Sequence, residues 1–122
     1  MHSLYQQQIM DHYHFPRHKG ALQGDAVLHS ACANPSCGDQ VKLSVCIQNG
    51  VVADAKFDGV GCILSLAAAD MLLEKIIGKP LEEIKTISVD DIKKMVGIEV
   101  GHTRIKCILL PLDALNDILR HA

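Results

Sequence analysis

The chain has 122 residues, of which 48% are hydrophobic and only 3% aromatic, and its formal net charge is −2. This length fits a single domain, residues 1–122, with an aliphatic core. The slightly acidic balance argues against nucleic-acid or membrane-surface binding, since both usually need a basic face. There is neither a secretory signal nor an apolar run of roughly 18 residues, so we expect a soluble cytoplasmic protein.

The first half of the chain predicts one short helix and then strands. Residues 3–12 indicate the helix, and residues 25–32 give a weak strand signal. Residues 41–48 alternate between apolar and polar side chains, which is typical of a half-buried strand. Asn49 and Gly50 then form a strong hairpin signal, because both tolerate positive φ. The alternation resumes over residues 51–58, which predicts a second strand antiparallel to the first.

The second half of the chain predicts helices. Residues 65–77 are rich in helix formers and stop at Gly78. Residues 88–96 begin with a serine close to a capping box. The segment 108–119 has an amphipathic stripe, in which Pro111 must either start the helix or kink it. Strands followed by helices predict an α+β fold, with a three-stranded antiparallel sheet, helices packed on one face and a C-terminal helix.

Five cysteines are an odd number, and a cytosolic chain of this size keeps its thiols reduced. Metal binding and sulfur chemistry are therefore the main explanations for those in polar, turn-rich settings. Cys37 precedes the hairpin and Cys62 follows it, so the two loops should be neighbours. A helix packed across the sheet can bring Cys107 to the same end. Three thiols and the carboxylate of Asp39 are then able to converge.

Three thiolates and one carboxylate can surround a tetrahedral Zn²⁺ or complete the ligation of an iron–sulfur cluster. Cys62 lies just before a helix, whose partial positive charge favours a thiolate. The oxygen ligand of Asp39 exchanges more easily than a fourth thiolate, which suits a cargo that must leave. The alternatives are that Asp39 is only a turn residue and that a given cysteine is a small buried hydrophobe. We interpret Cys32 and Cys46 in that second way.

The histidines offer a further, weaker metal signal. His12, His14 and His18 lie in one short segment, and His102 is near Cys107. We interpret the first three as a helix-end or surface cluster and expect His102 to lie outside the site. The cysteines and Asp39 remain the candidate ligands.

The stretches "NPSCGD", "GVGCILSLAAADML" and "RIKC" resemble the U-type iron–sulfur cluster assembly family, which includes IscU, SufU and the N-terminal domain of NifU. The opening "LYQQQIMDHYHFPRHKG" is also similar, so the resemblance covers nearly the whole chain. It implies the same α+β fold and a functional set of four residues, Cys37, Asp39, Cys62 and Cys107. In such proteins this set accepts sulfur from a cysteine desulfurase, binds metal and holds a transient cluster that is passed to acceptor or carrier proteins.

Two features depart from the IscU pattern. Lys106 stands where IscU-like members have a histidine, and "VGHTRIKC" replaces their Leu-Pro-Pro-Val-Lys chaperone-docking motif. The context from Arg104 to Cys107 is closer to SufU, but the insertion that SufU-like members carry between the second and third cysteines is absent. Lys106 either compensates the negative charge of the thiolates or points to solvent.

The leading hypothesis is a scaffold for a transient [2Fe–2S] cluster, bound by the three cysteines with Asp39 as the labile fourth ligand. The alternative is a zinc-bound sulfur acceptor that stimulates a cysteine desulfurase. In either case Cys107 and Cys37 are the candidate persulfide acceptors. A purely structural zinc domain is a third hypothesis, but such a site is expected to use a closed set of cysteine and histidine ligands.

Overall fold

The structure is a computed structural model that describes residues 3–36 and 38–122. Cys37, a candidate ligand and sulfur acceptor, therefore lies outside the described residues. None of the helices in these two ranges is both long and apolar enough to cross a membrane. The elements in chain order are α1 Leu4–His14, β1 Val27–Asn34, β2 Asp39–Gln48, β3 Val51–Val60, α2 Ile63–Ile76, α3 Leu81–Ile84, α4 Val89–Val96 and α5 His102–Arg120.

The three strands form one antiparallel sheet in the order β1-β2-β3. The predicted hairpin between β2 and β3 is confirmed: Leu43 pairs with Phe57, and the turn residues Asn49 and Gly50 have φ values of 55° and 74°. Positive φ at both positions matches the right-handed twist of the flanking strands. The weakly predicted strand is also present, because β1 pairs with β2 along its whole length.

The core lies between this sheet and two helices, α2 and α5. Val41, Leu43 and Val45 alternate along β2 and point inward, each with at most 2% of its surface exposed. Both helices pack against the sheet and against each other. Small side chains on α2 permit this close approach, and they are Ala67, Ala68 and Ala69. The predicted α+β fold with a C-terminal helix is confirmed.

Two helices begin with a capping box, in which a serine and the residue three positions later satisfy each other's backbone N–H groups. In α4 these residues are Ser88 and Asp91, as the sequence indicated. Hydrogen bonds from the Ser88 amide and hydroxyl lower the pKa of the Asp91 carboxyl. In α1 they are Ser3 and Gln6, which the sequence analysis did not identify.

The structure excludes one of the two predicted forms of the C-terminal helix. It begins at His102, well before Pro111, so the alternative in which Pro111 starts the helix is wrong. Pro111 is buried inside α5 and cannot donate to the carbonyl of Cys107, one turn earlier. Tertiary burial of the apolar face of α5 therefore outweighs the local penalty of the proline.

A buried contact between a histidine and an aspartate attaches α1 and the loop after it to α2. His12 Nδ1 lies 2.6 Å from Asp70 Oδ2, and the side chain of Asp70 has no exposed surface. The other carboxylate oxygen accepts hydrogen bonds from the backbone N–H groups of Arg17 (2.9 Å) and His18 (2.8 Å). Of the two interpretations of the histidines, the helix end is confirmed for His12, which lies in the last turn of α1. A surface position is wrong for His12, because its ring is the buried partner of a carboxylate.

Candidate metal and sulfur site

Asp39, Cys62 and Cys107 meet at one end of the sheet. One possible ligand atom from each lies within 4.8 Å of the other two. In the described ranges 3–36 and 38–122, this is the one group of three or more histidine, cysteine or acidic residues with such spacing. No disulfide joins the cysteines of these ranges. Their sulfurs are therefore in the reduced form that metal ligands and nucleophiles require.

The hairpin explains why the first two residues are neighbours. Gln40, next to Asp39 at the start of β2, pairs with Val60 at the end of β3. Cys62 follows two residues later, as the N-cap of α2. Cys107 is positioned by helix packing instead. It lies in the second turn of α5, which packs on β1 and β2. The site therefore forms only when the last helix is docked on the sheet.

The carboxylate of Asp39 is buried against the beginning of α2, with 3% of the residue exposed. Its Oδ1 accepts a hydrogen bond from the Cys62 amide at 3.1 Å. Its Oδ2 accepts from the Cys62 thiol at 3.5 Å and from the hydroxyl of Ser65. The side chain of Cys62 does not cap the helix. The carboxylate of Asp39, on strand β2, instead accepts the hydrogen bond from the backbone amide at the N-terminus of α2. The partial positive charge at that helix end stabilises the carboxylate.

The donor set fits a tetrahedral metal. Typical zinc–sulfur and zinc–oxygen bonds place neighbouring ligand atoms about 3.5 Å apart. The distance between Cys62 Sγ and Asp39 Oδ2 is 3.5 Å, so these two atoms already have that separation. Cys107 is 3% exposed, and its thiol points toward the Thr103 carbonyl at 4.0 Å. If Zn²⁺ binds here, Asp39, Cys62 and Cys107 are the described residues that would hold it.

Gly61 makes room for the carboxylate. A Cβ atom at this position would lie 2.6 Å from Asp39 Oδ1 and 2.8 Å from Asp39 Cγ, which is too close for any real side chain. The backbone of Gly61 also has a φ of 154°, which L-residues rarely adopt. Any larger residue must therefore displace Asp39 or change the chain path before Cys62.

We expect Gly61→Ala to lower the free energy of unfolding by about 1–3 kcal/mol through backbone strain and displacement of Asp39. Gly50→Ala is the matched control, because Gly50 also has positive φ but no heavy atom within 4 Å of the added Cβ. Urea unfolding of both variants measures the difference. Equal losses would mean that the close approach of Asp39 contributes nothing to stability.

Several residues singled out in the sequence lie away from this cluster. Arg104 and Lys106 are exposed on α5, and His102 is exposed at its first position. Cys32 and Cys46 are half-buried in β1 and β2 and do not belong to the group of three ligands.

Ser65 was not among the site residues expected from the sequence, although it had a detectable signal. Ser65 is the third residue of α2, a position from which a side chain can reach the helix start. The inward alternation of β2 extends back from Val41 to Asp39, which predicts a buried carboxylate in need of partners. Ser65 and the Cys62 amide are those partners.

Comparison with known proteins places the chain in a family. Residues 4–121 match the family described as the NifU-like N terminal domain. The chain belongs to this family. It is 36% identical to the zinc-dependent sulfurtransferase SufU of Bacillus subtilis, over 93% of this chain and 88% of that protein. It is 35% identical to the iron–sulfur cluster assembly scaffold protein IscU of Thermotoga maritima, over 93% and 79%.

A solved structure agrees with these relationships. The putative SUF-system iron–sulfur cluster assembly scaffold from Fervidobacterium islandicum superposes with a TM-score of 0.80 at 26% identity, over 97% of this chain and 96% of that one.

The alignments with SufU and IscU differ in length. The alignment with SufU spans 131 positions and the one with IscU spans 113, for the same 93% of this chain. The SufU relative therefore carries extra residues within the aligned region, and the IscU relative aligns with this chain without them.

Proposed function

We propose that this protein is an iron–sulfur cluster assembly scaffold. It receives sulfur from a cysteine desulfurase together with iron, holds a transient [2Fe–2S] cluster and transfers it to acceptor or carrier proteins. Cys37, Cys62 and Cys107 supply thiolates to the cluster, and Asp39 is the exchangeable fourth ligand. The IscU relative, which aligns with this chain without the extra residues of SufU, carries a scaffold name, and this supports the assignment.

The convergence of Asp39, Cys62 and Cys107 is the single observation that carries the proposal. Thiolates are the ligands that iron–sulfur clusters require, and a carboxylate is a harder and more easily exchanged ligand. Such a mixed set favours temporary binding. A structural zinc site usually has a closed set of cysteine and histidine ligands, which this site does not have.

A second candidate function is sulfur transfer with zinc on the same four residues. The tetrahedral separation of Cys62 Sγ and Asp39 Oδ2 and the zinc-dependent SufU relative favour it. A thiolate of this chain would attack the outer sulfur of the desulfurase persulfide. A new S–S bond forms on the attacking cysteine, and the desulfurase cysteine leaves as a thiolate, so the step needs no external oxidant.

Cys107 and Cys37 are the candidate acceptors in that step. Cys107 is 3% exposed, so a partner reaches its sulfur only after the residues around it move. Cys37 lies outside the described residues. Both candidates work as thiolates, which fits a reducing compartment, and we place the protein in the cytoplasm for that reason.

Anaerobic reconstitution distinguishes the two functions. The purified chain is incubated with Fe²⁺, cysteine and a cysteine desulfurase, and its visible absorption and metal content are then measured. A scaffold shows sulfide-to-iron charge-transfer bands with roughly two irons and two sulfides per cluster. A colourless protein that keeps zinc and accelerates the desulfurase would instead assign it to sulfur transfer.

A further inference from the structure

Ser65 is a fully buried polar residue next to the proposed ligands, with 0% of its surface exposed. Its hydroxyl donates a hydrogen bond to Asp39 Oδ2 and lies 3.5 Å from Cys62 Sγ. It thus contacts two of the three ligands that converge. None of the proposed steps above gives this hydroxyl a role.

The hydroxyl of Ser65 does not bond to its own helix. Ser65 is the third residue of α2, a position from which a side chain can reach the backbone at the helix start. Its hydroxyl instead reaches across to Asp39 on strand β2. The neighbouring inward positions of α2 are alanines, which shows that a small apolar residue fits the packing of this helix face.

The two oxygens of Asp39 are held by different partners. Oδ1 is held by the backbone amide of Cys62, which any residue except proline would supply at position 62. Oδ2 accepts a hydrogen bond from the side-chain hydroxyl of Ser65. Oδ2 is also the oxygen at tetrahedral separation from the Cys62 sulfur. The hydrogen bond from Ser65 therefore acts on the oxygen best placed to bind a metal.

We propose that Ser65 is a positioning residue that fixes the Asp39 carboxylate in the orientation needed for metal binding. This inference rests on the proposed role of Asp39 as a ligand. Partners that hydrogen-bond to a ligating side chain fix its orientation, and their loss typically costs 10–100-fold in metal affinity. Without the hydroxyl, Oδ2 loses the hydrogen bond from Ser65 and keeps the contact of 3.5 Å with the Cys62 thiol, which is itself a proposed ligand.

The test is the zinc affinity of purified variants, measured by competition with a chromogenic chelator. We expect Ser65→Ala to bind zinc about 10-fold or more weakly than the unaltered chain. Ser65→Thr keeps the hydroxyl and is expected to recover most of the affinity. Ser44→Ala is the matched control: Ser44 is also buried and accepts a hydrogen bond from the Leu22 amide, but it belongs to no ligand group.

A double-mutant cycle separates positioning from a purely structural effect. Ser65→Ala should change zinc affinity little when Asp39→Ala is already present, because the residue acts through that carboxylate. An equal loss in both backgrounds, or a Ser65→Ala affinity matching that of Ser44→Ala, would overturn the positioning role. If Asp39→Ala itself leaves zinc affinity unchanged, the ligand assignment is wrong and the inference fails with it.

Discussion

We expect Asp70→Ala to lower the free energy of unfolding by about 3–5 kcal/mol, because each buried donor that loses its acceptor costs about 1–3 kcal/mol. Asp70 accepts hydrogen bonds from the His12 ring and from the backbone N–H groups of Arg17 and His18. Alanine would leave these three buried or half-buried donors without the carboxylate. Buried donors that lose their acceptor carry the full cost of their lost hydration.

Urea unfolding followed by far-UV circular dichroism measures this loss. Glu74→Ala is the control, because Glu74 Oε2 also approaches the His12 ring, at 3.5 Å, but its side chain is 49% exposed. A partly exposed ion pair contributes about 0–1 kcal/mol, so the control should unfold almost like the unaltered chain. A loss below about 1 kcal/mol for Asp70→Ala would show that the attachment of α1 does not depend on this carboxylate.

The sheet could be predicted because its determinants are local. Apolar and polar side chains alternate in residues 41–48 and 51–58, which indicates the side chains that face the core. Asn49 and Gly50 specify the turn between the two strands. A tight turn sets the strand register, so few alternatives remained. The nearness of Asp39 and Cys62 follows directly from that register.

The attachment of α1 could not be predicted in the same way. Nothing near His12 in the sequence indicates a partner 58 residues later on α2. His12 appeared beside His14 and His18, which made a surface cluster the simpler interpretation. Tertiary packing determined the outcome, because Asp70 occupies a fully buried helix position and needs several donors.

Cys107 falls between these two cases. The order of the motifs placed it in the functional set, but spacing alone allowed the last helix to dock in several ways. Its arrival near Asp39 depends on the apolar stripe of α5 packing on β1 and β2. Pro111 allowed two forms of the last helix, one that starts at the proline and one that continues through it, and the structure has the earlier start at His102.

The ligand assignment leads to the largest expected effect on metal binding. Cys62→Ser and Cys107→Ser should each lower zinc affinity by more than about 100-fold, beyond the range for losing an outer partner of a ligand. Serine keeps nearly the same shape, but its hydroxyl is not ionised near neutral pH and is a poor substitute for a thiolate. The same chelator competition measures the effect, and circular dichroism verifies that each variant is folded.

Cys32→Ser and Cys46→Ser are the matched controls, and both should retain zinc. Cys46 lies seven residues from Asp39 along β2, about 23 Å for an extended strand. Cys32 is the more stringent control, since it pairs with Val41 near the site. Burial, and secondly the Asp113 carboxylate, raise the pKa of the Cys32 thiol, which disfavours the thiolate form that binds metal. If Cys32→Ser lost as much zinc as Cys107→Ser, the assignment of Asp39, Cys62 and Cys107 as the ligands would be wrong. A cysteine would then bind zinc simply because it lies near this end of the sheet.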